Sequence, residues 1–311
     1  MYLGVPTWVF SWGAPYDDAI RRIARLGGFK SVELTVWNEE LLNGYYTPAT
    51  NRQLRQLIAD EGLKLSELFC IPLGMASEDP KQRAASVEYL KRVLDVAHQL
   101  GADTVLTVTS CPFELDFPFE QLKPTSQEWT IELPKGLDWK RNWSDFVDTM
   151  RQYEVLLEDA NMRMAIEPHP NRMIHNSAGM LRLMDQLSTN RIGLNLDPSH
   201  LFPMGEMAQV VAYEVGDRIF HTHFSDNDGQ SNAHWRPGKG KIDWGATIRA
   251  LDDIGYNGPL SLELEDVPGA AGYPGFNRSP HSQPELLERE YRLARDYIVR
   301  AAEEQGVTIE L

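Results

Sequence analysis

The sequence predicts an α/β fold, a (β/α)₈ TIM barrel, from three observations. Short apolar runs rich in Val, Ile, Leu and Thr alternate eight times with longer segments of helical period, as parallel strands joined by crossover helices do. The 311 residues are enough for eight such pairs, and a hydrophobic fraction of 42% can fill one large core. Three connections after strands are much longer than the usual few residues. We therefore expect residues 1–311 to form one domain with long loops on one face.

The eight strands are expected where aliphatic and β-branched residues concentrate, at 3–10, 31–37, 64–70, 104–109, 163–167, 192–196, 219–224 and 260–264. The helices that follow them are expected at 16–26, 50–61, 80–100, 143–160, 177–186, 207–215, 244–254 and 284–304. Pro80 suits the start of a helix, and Gly62, Gly101 and Gly255 stand where helices should end.

The long connections follow strands 4, 7 and 8, at 110–141, 225–243 and 265–283. Loops after strands build the active-site face of such a barrel, so we expect these segments to form its walls or a subunit contact. Their aromatic residues could stack on a sugar or pack within the loops. They are Phe113, Phe117, Phe119, Trp129, Trp139, Trp235, Tyr273 and Phe276.

Charge and composition exclude several classes of function. Acidic residues outnumber basic ones 45 to 30, for a net charge of −15, whereas nucleic acid is bound mainly by Lys and Arg. No apolar run approaches the roughly 18 residues of a membrane span, and the first residues show neither a basic leader nor a long apolar stretch. The two cysteines, Cys70 and Cys111, do not suggest a disulfide framework. We expect a cytoplasmic protein without nucleic-acid or membrane partners.

Four polar residues lie at the carboxyl ends of the last four predicted strands. They are Glu167 in MAIEPHP, Asp197 in GLNLDPSH, His223 in FHTHFSDN and Glu263 in LSLELED. Neighbouring strands of a barrel end at the same mouth, so these side chains should converge. Three carboxylates would repel one another there unless a cation lies between them. We predict one divalent metal ion, Mn²⁺ or Mg²⁺ for this oxygen-rich set, with Co²⁺ or Zn²⁺ also possible.

Each of these residues has a structural alternative when taken singly. A strand-end acid can cap the next helix or pair with an arginine, and a lone histidine can be a hydrogen-bonded core residue. His221 shares a strand face with His223, and Glu265 shares one with Glu263. We prefer His223 and Glu263, because the first lies nearer its strand end and Glu265 should begin the loop.

The segments AIEPHP, NLDPSH, HTHFSDN, PGKGKIDW and GPLSLELED, in this order and spacing, resemble the xylose isomerase-like barrels. That family includes D-tagatose 3-epimerases, inosose dehydratases and class II apurinic endonucleases, and the resemblance spans nearly the whole chain. It implies that the four strand-end residues are the metal ligands. It also implies that Glu167 and Glu263 are the proton-transfer pair.

The resemblance further implies substrate contacts. His200 matches a histidine that contacts substrate hydroxyls, and Glu33 matches an acid that either contacts substrate or supports the residues that do. His234 is expected to approach substrate from the strand-7 loop. Ketose 3-epimerases carry a substrate-binding arginine about six residues beyond the strand-7 histidine; Gly229 stands there, and Arg236 is the expected substitute. A helix-start residue, a salt-bridged acid and a surface histidine stay open as structural alternatives for His200, Glu33 and His234.

The endonuclease members hold three zinc ions with added histidines after strands 3 and 4 and an Asp-x-His element in the strand-7 loop. This sequence has none of those histidines at 67–70 or 108–110, and Asn232 begins the Asn-Ala-His segment that replaces Asp-x-His. A trinuclear site is therefore not expected.

These features together predict a divalent-metal-dependent sugar isomerase or epimerase that acts on a ketose or related polyol through an enediolate. If the enolate instead expels a β-substituent, the enzyme is a lyase or dehydratase acting on a keto-sugar, a cyclitol or a 3-oxo C-glycoside. A noncatalytic sugar-binding subunit and an apurinic endonuclease are further alternatives. A homo-oligomer is expected, and a hetero-oligomer stays open, because a neighbouring subunit often completes loop-built pockets.

Overall fold

The computed structural model describes residues 1–115, 131–272 and 282–311, which contain a closed barrel of eight parallel strands. Each strand pairs with the next in the chain, and the eighth closes on the first. The strands are β1 Tyr2–Pro6, β2 Ser31–Val36, β3 Lys64–Cys70, β4 Thr104–Val108, β5 Arg163–Glu167, β6 Ile192–Leu196, β7 Ile219–Phe224 and β8 Pro259–Leu262. The predicted (β/α)₈ architecture is confirmed.

The helices follow the strands as expected. They are α1 Asp17–Leu26, α2 Glu39–Gly44, α3 Pro48–Asp60, α4 Pro80–Leu100, α5 Trp139–Ala160, α6 Ser177–Met184, α7 Pro198–Leu201, α8 Ala208–Val215, α9 Trp244–Asp253 and α10 Pro284–Glu304. The short helices α2 and α7 were not predicted, and both start from a side-chain cap: Asn38 accepts from the Leu41 amide and Asp197 from the Ser199 amide. Within the described ranges, no helix has the length and apolar character needed to cross a membrane.

The first strand is shorter than predicted. It ends at Pro6, which has no N–H to continue the ladder, and Thr7–Val9 form a 3₁₀ turn. The Thr7 hydroxyl donates to the Glu33 carbonyl at 2.7 Å and fixes the turn on β2. This turn is what brings the Trp8 indole to the carboxyl end of the barrel.

The loop after β7 is held by a buried carboxylate. Asp226 accepts from the Gly238 amide, the Ile242 amide and the Trp244 indole, at 2.8, 3.2 and 3.1 Å. A Cβ at Gly240 would collide with the backbone of Asn227, so this close approach requires glycine. These contacts explain the PGKGKIDW segment as the anchor of the loop that carries His234.

The two other long loops are described only in part. In the loop after β4, Phe113 and Trp139 form an edge-to-face ring pair with centroids 6.1 Å apart. In the loop after β7, the backbone of Trp235 pairs with that of Asp226. The remaining aromatic residues of these loops lie outside the described residues; they are Phe117, Phe119, Trp129, Tyr273 and Phe276.

Candidate active site and metal centre

Four side chains meet at the carboxyl end of the barrel, one from the end of each of the last four strands. Each offers a ligand atom within 4.8 Å of the other three, and all four residues are buried. They are Glu167, Asp197, His223 and Glu263. The structure thus brings together the four residues that the sequence singled out as a metal-binding set.

Asp197 combines a structural role with an unused oxygen. Its Oδ1 caps α7 by accepting from the amide and the hydroxyl of Ser199, both at 2.7 Å. Its Oδ2 is buried and has no hydrogen-bond partner among the described residues. Burial, together with the negative charges of Glu167 and Glu263, raises the pKa of Asp197 to about 7. The helix-cap alternative and a ligand role are therefore compatible, because they use different oxygens.

The two glutamates are held by different partners. Glu167 Oε1 accepts from the Asn195 amide at 2.7 Å and lies 2.7 Å from His223 Nδ1. Burial raises the pKa of Glu167 in spite of the adjacent His223. These two contacts fix the orientation of the Glu167 carboxylate before any substrate binds.

Glu263 receives the Trp8 indole N–H on Oε1 at 3.1 Å, and its Oε2 lies 3.2 Å from His234 Nδ1. Burial alone would raise the pKa of Glu263, but the charge of His223 and the hydrogen bond from His234 outweigh it and lower that pKa to about 2. The pKa values of Glu167 and Glu263 are thus shifted in opposite directions.

His223 and His221 point to different neighbours. His223 Nδ1 faces Glu167, while its Nε2 lies 3.0 Å from Glu33 Oε2. His221 lies deeper, with its Nδ1 3.1 Å from Asn195 Oδ1. His223, not His221, therefore contributes to the four-residue set at the mouth.

Two further histidines lie beside the carboxylates. His200 Nε2 is 3.6 Å from Asp197 Oδ2 and 3.8 Å from Glu167 Oε2, and its Nδ1 lies 2.8 Å from Asn232 Oδ1. Burial and two neighbouring histidines hold the pKa of His200 well below its usual range, so its imidazole is neutral. His200 and His234 also form a possible ligand group with Asp197 and Glu263.

The two remaining predicted substrate contacts lie elsewhere. Glu33 is fully buried behind His223 and accepts from the Ser261 hydroxyl. Arg236 pairs with Glu290 of α10, with 3.0 Å between Nε and Oε2. The structure does not place either residue among the four-residue set, although Glu33 contacts it through His223.

Several residues of the site were not expected from the sequence. His169 follows Glu167 by two positions, its ring lies 3.6 Å from that of His200, and its Nε2 is 3.7 Å from Glu167 Oε2. Its position in EPHP, directly after a strand-end acid, was the available signal. Asn195 and Glu67 were also missed, although a polar residue inside an otherwise apolar barrel strand was a usable indication.

Aromatic rings border the site beside Glu263. Trp8 lies 5.7 Å from Phe69 and 5.9 Å from Trp37, and Trp12 lies 5.1 Å from Trp37, between ring centroids. We call Trp8, Trp12, Trp37 and Phe69 the aromatic wall; the three tryptophans follow β1 and β2, and Phe69 is the penultimate residue of β3. The aromatic wall gives one side of the mouth an apolar surface.

Comparison with known proteins agrees with this architecture. A family model described as xylose isomerase-like TIM barrel matches residues 20–297. D-psicose 3-epimerase of Ruminiclostridium cellulolyticum is 26% identical over 307 residues, which cover 93% of each protein. A crystal structure of D-psicose 3-epimerase with D-tagatose from Clostridium cellulolyticum H10 has a TM-score of 0.76 and 20% identity, over 97% of this chain and 99% of that one.

A crystal structure of the IOLI protein with a binding zinc atom is similar with a TM-score of 0.69 and 18% identity, over 98% of this chain and 99% of that one. The likeness to the two solved structures, at these identities, concerns the fold. The family model covers most of the chain. This protein therefore belongs to the xylose isomerase-like TIM barrel family.

Proposed function

We propose that this protein is a divalent-metal-dependent sugar isomerase or epimerase that acts on a ketose or related polyol through an enediolate. The observation that carries the proposal is the convergence of four buried ligand atoms, one from the end of each of four consecutive strands, within 4.8 Å of one another. The similarity to a D-psicose 3-epimerase along 93% of the chain supports the same class of substrate and reaction.

The residues fit a divalent cation. Three carboxylates and one imidazole form a mainly oxygen-donor set, and the buried Asp197 Oδ2 has no hydrogen-bond partner among the described residues to compete for it. Such a set suits Mn²⁺ or Mg²⁺, with Co²⁺ or Zn²⁺ possible, and the zinc of the IOLI structure supports keeping zinc among the candidates. When bound there, a divalent ion would stabilise the negative charge that develops on the substrate oxygens as a carbon-bound proton leaves.

Glu167 and Glu263 are the proposed proton-transfer residues. They come from β5 and β8, with β6 and β7 between them, so a substrate above the site would meet a carboxylate from two directions. Removal of a proton by one and its return by the other to the opposite face gives epimerisation. Return to the neighbouring carbon gives isomerisation.

His200 and His234 are proposed to bind substrate hydroxyls. If the Nδ1 of His200 donates to the Asn232 carbonyl oxygen, its Nε2 keeps a lone pair that can accept from a hydroxyl. The Glu263 hydrogen bond and charge outweigh burial and raise the pKa of His234 to about 9, so this residue can donate to a substrate oxygen. We propose that Glu33 does not touch substrate but orients His223. Arg236 would have to break its ion pair with Glu290 before it could contact substrate.

The second candidate is a lyase or dehydratase acting on a keto-sugar, a cyclitol or a 3-oxo C-glycoside. Its first step, loss of a proton beside a carbonyl, needs the same residues, and a leaving group then departs from the enolate. The aromatic wall favours this candidate, because it offers an apolar surface for a bulky or nonpolar leaving group.

A panel of ketoses and keto-glycosides, incubated with the Mn²⁺-loaded protein in D₂O, separates these functions. An isomerase or epimerase gives a product of unchanged composition, with deuterium at one carbon and, for an epimerase, inverted configuration in the NMR spectrum. A lyase gives a product lighter by water or by an aglycone. The Glu167→Gln variant should be inactive in either case. If neither kind of product forms from any compound of the panel, the proposed reaction class is wrong.

A further inference from the structure

A second group of ligand-type side chains lies below the mouth, inside the barrel. It consists of Glu33, Glu67, His221 and His223, each almost completely buried, with one ligand atom from each within 4.8 Å of the others. Glu33 and Glu67 are register partners on β2 and β3, so both side chains point into the barrel at the same level. We call these four residues the inner group; His223 belongs to both it and the four-residue set above.

Hydrogen bonds fix which atoms of the inner group can donate. The Glu167 carboxylate can only accept, so the Asn195 amide nitrogen faces it, and the Asn195 carbonyl oxygen must face His221. That oxygen accepts from His221 Nδ1, which therefore carries the proton. The Nε2 of His221 is left with a lone pair, lies 3.7 Å from Glu33 Oε1, and has no hydrogen-bond partner among the described residues.

Glu67 also has buried polar atoms without a hydrogen-bond partner among the described residues. These are both of its carboxylate oxygens; their nearest ion-pair contacts, to His221 and His223, are 3.8 Å long. One ligand atom on each of Glu33, Glu67 and His221 lies within 4.8 Å of the others. Only a positive or hydrogen-donating species can satisfy them.

The charge of the whole barrel interior favours a metal ion as that species. Five buried carboxylates surround the axis, and among the described residues all their ion-pair contacts are with histidines. They are Glu33, Glu67, Glu167, Asp197 and Glu263. One divalent ion at the mouth balances only two of these five charges, so the remaining negative charge is left to the histidines or to a further cation.

We propose that the inner group is a second divalent-cation site, with Glu33, Glu67 and His221 as ligands and His223 shared between this site and the four-residue set. Two carboxylates and an imidazole are suitable for Mn²⁺ or Zn²⁺. The inner ion balances the buried charge and fixes the carboxylate that lies 3.0 Å from His223 Nε2. The inference goes beyond the proposed reaction and depends on it only through the shared His223.

Metal stoichiometry tests the proposal. The purified protein is stripped with a chelator, reloaded with excess Mn²⁺, desalted and analysed for metal and protein. We expect two ions per chain, and one in Glu67→Gln, which keeps the size of the side chain and removes its charge. Glu290→Gln, at another buried glutamate, on α10, should keep two ions. The electron paramagnetic resonance spectrum of the doubly loaded protein should show spin coupling between neighbouring Mn²⁺ ions, and the Glu67→Gln spectrum should not.

One ion per chain in the saturated parent protein would overturn the proposal and assign the inner group to a shared proton or a buried water. Two ions in a folded Glu67→Gln variant would overturn it as well. If that variant does not fold, the stoichiometry and spin coupling of the parent protein decide alone. A single ion that is lost in Glu263→Gln leaves the proposed function intact. Two ions without turnover of any sugar would instead contradict the proposed function and support the inner site.

Discussion

The two ends of the barrel differ in how their charged groups are compensated. At the amino end, a cavity of about 900 Å³ is lined by acidic and basic side chains together. Arg163 lies 3.4 Å from Asp103, and Lys64 lies over the ring of Tyr2. At the carboxyl end, buried carboxylates meet one another and histidines, with no Lys or Arg pairing to the four-residue set among the described residues.

The large cavity and the uncompensated buried charge therefore lie at opposite ends of the barrel. A large cavity is the usual first place to look for a binding site, but at the amino end acidic and basic side chains lie together, as Arg163 and Asp103 do. The carboxyl end concentrates charge that the protein alone does not neutralise, which is typical of sites that bind ions and move protons. We therefore expect substitutions at the carboxyl end to affect function more than substitutions at the amino end.

The largest effect is expected from Asp197→Asn at the carboxyl end. The change removes one negative charge from the four-residue set, so bound metal and its stabilisation of developing charge should be lost. We expect kcat/KM to fall about 10³-fold or more, equivalent to roughly 4 kcal/mol. Asp103→Asn, the matched substitution at the amino end, should leave kcat/KM unchanged. Equal losses in the two variants would contradict the contrast between the ends.

Removal of the metal should destabilise the fold. An ion present at 100 times its Kd stabilises the folded state by about 2.7 kcal/mol, which corresponds to roughly 5 °C in Tm for a chain of this size. We therefore expect a chelator to lower Tm by about that amount, and Mn²⁺ to restore it. Asp103→Asn should show the same drop, whereas Asp197→Asn should show a smaller one. If the chelator leaves Tm unchanged, the negative charge of the buried carboxylates is compensated without a metal ion, and the prediction is wrong.

A smaller effect is expected from His200→Asn. Loss of one hydrogen bond to the reacting sugar costs about 1–3 kcal/mol, so kcat/KM should fall roughly 5- to 150-fold while metal content stays unchanged. His175→Asn, at a half-buried histidine in the loop after β5, is the control and should retain activity. Metal loss in His200→Asn would instead assign His200 as a ligand, in keeping with its 3.6 Å distance from Asp197.

The smallest effect is expected at the amino end. Arg163→Met removes a partly exposed pair with Asp103 and a contact with the Phe220 ring. Such pairs contribute about 1 kcal/mol or less, so the free energy of unfolding should change by no more than that, with kcat/KM unaltered. A loss of activity without a loss of stability would show that the amino-end cavity takes part in function.

The sequence was informative wherever pattern alone decides structure. The bounds of β3, β5, β6, β7, α4 and α10 agree with the prediction to the residue, because apolar runs and capping signals mark their ends. The start of α5 was placed four residues late, at 143 rather than Trp139, since Asp138 and not a residue near Trp143 caps it. The convergence of Glu167 and Glu263 followed from strand order.

The rest depended on contacts that linear pattern does not contain. The partner of Arg236 is Glu290, 54 residues away, and no local signal reports an ion pair between a loop and α10. Glu67 is buried because the register of β2 and β3 turns it inward beside Glu33. Trp8 and Glu263 are 255 positions apart in the sequence, and Trp8 reaches Glu263 because Pro6 ends β1 early.

The most direct test of the central claim is the anomalous diffraction of a crystal of this protein grown with Mn²⁺. We expect a strong anomalous peak at the carboxyl end of the barrel, roughly 2.0–2.2 Å from carboxylate oxygens of Glu167, Asp197 and Glu263 and from a ring nitrogen of His223. A crystal saturated with Mn²⁺ that shows no peak between these four side chains would contradict it.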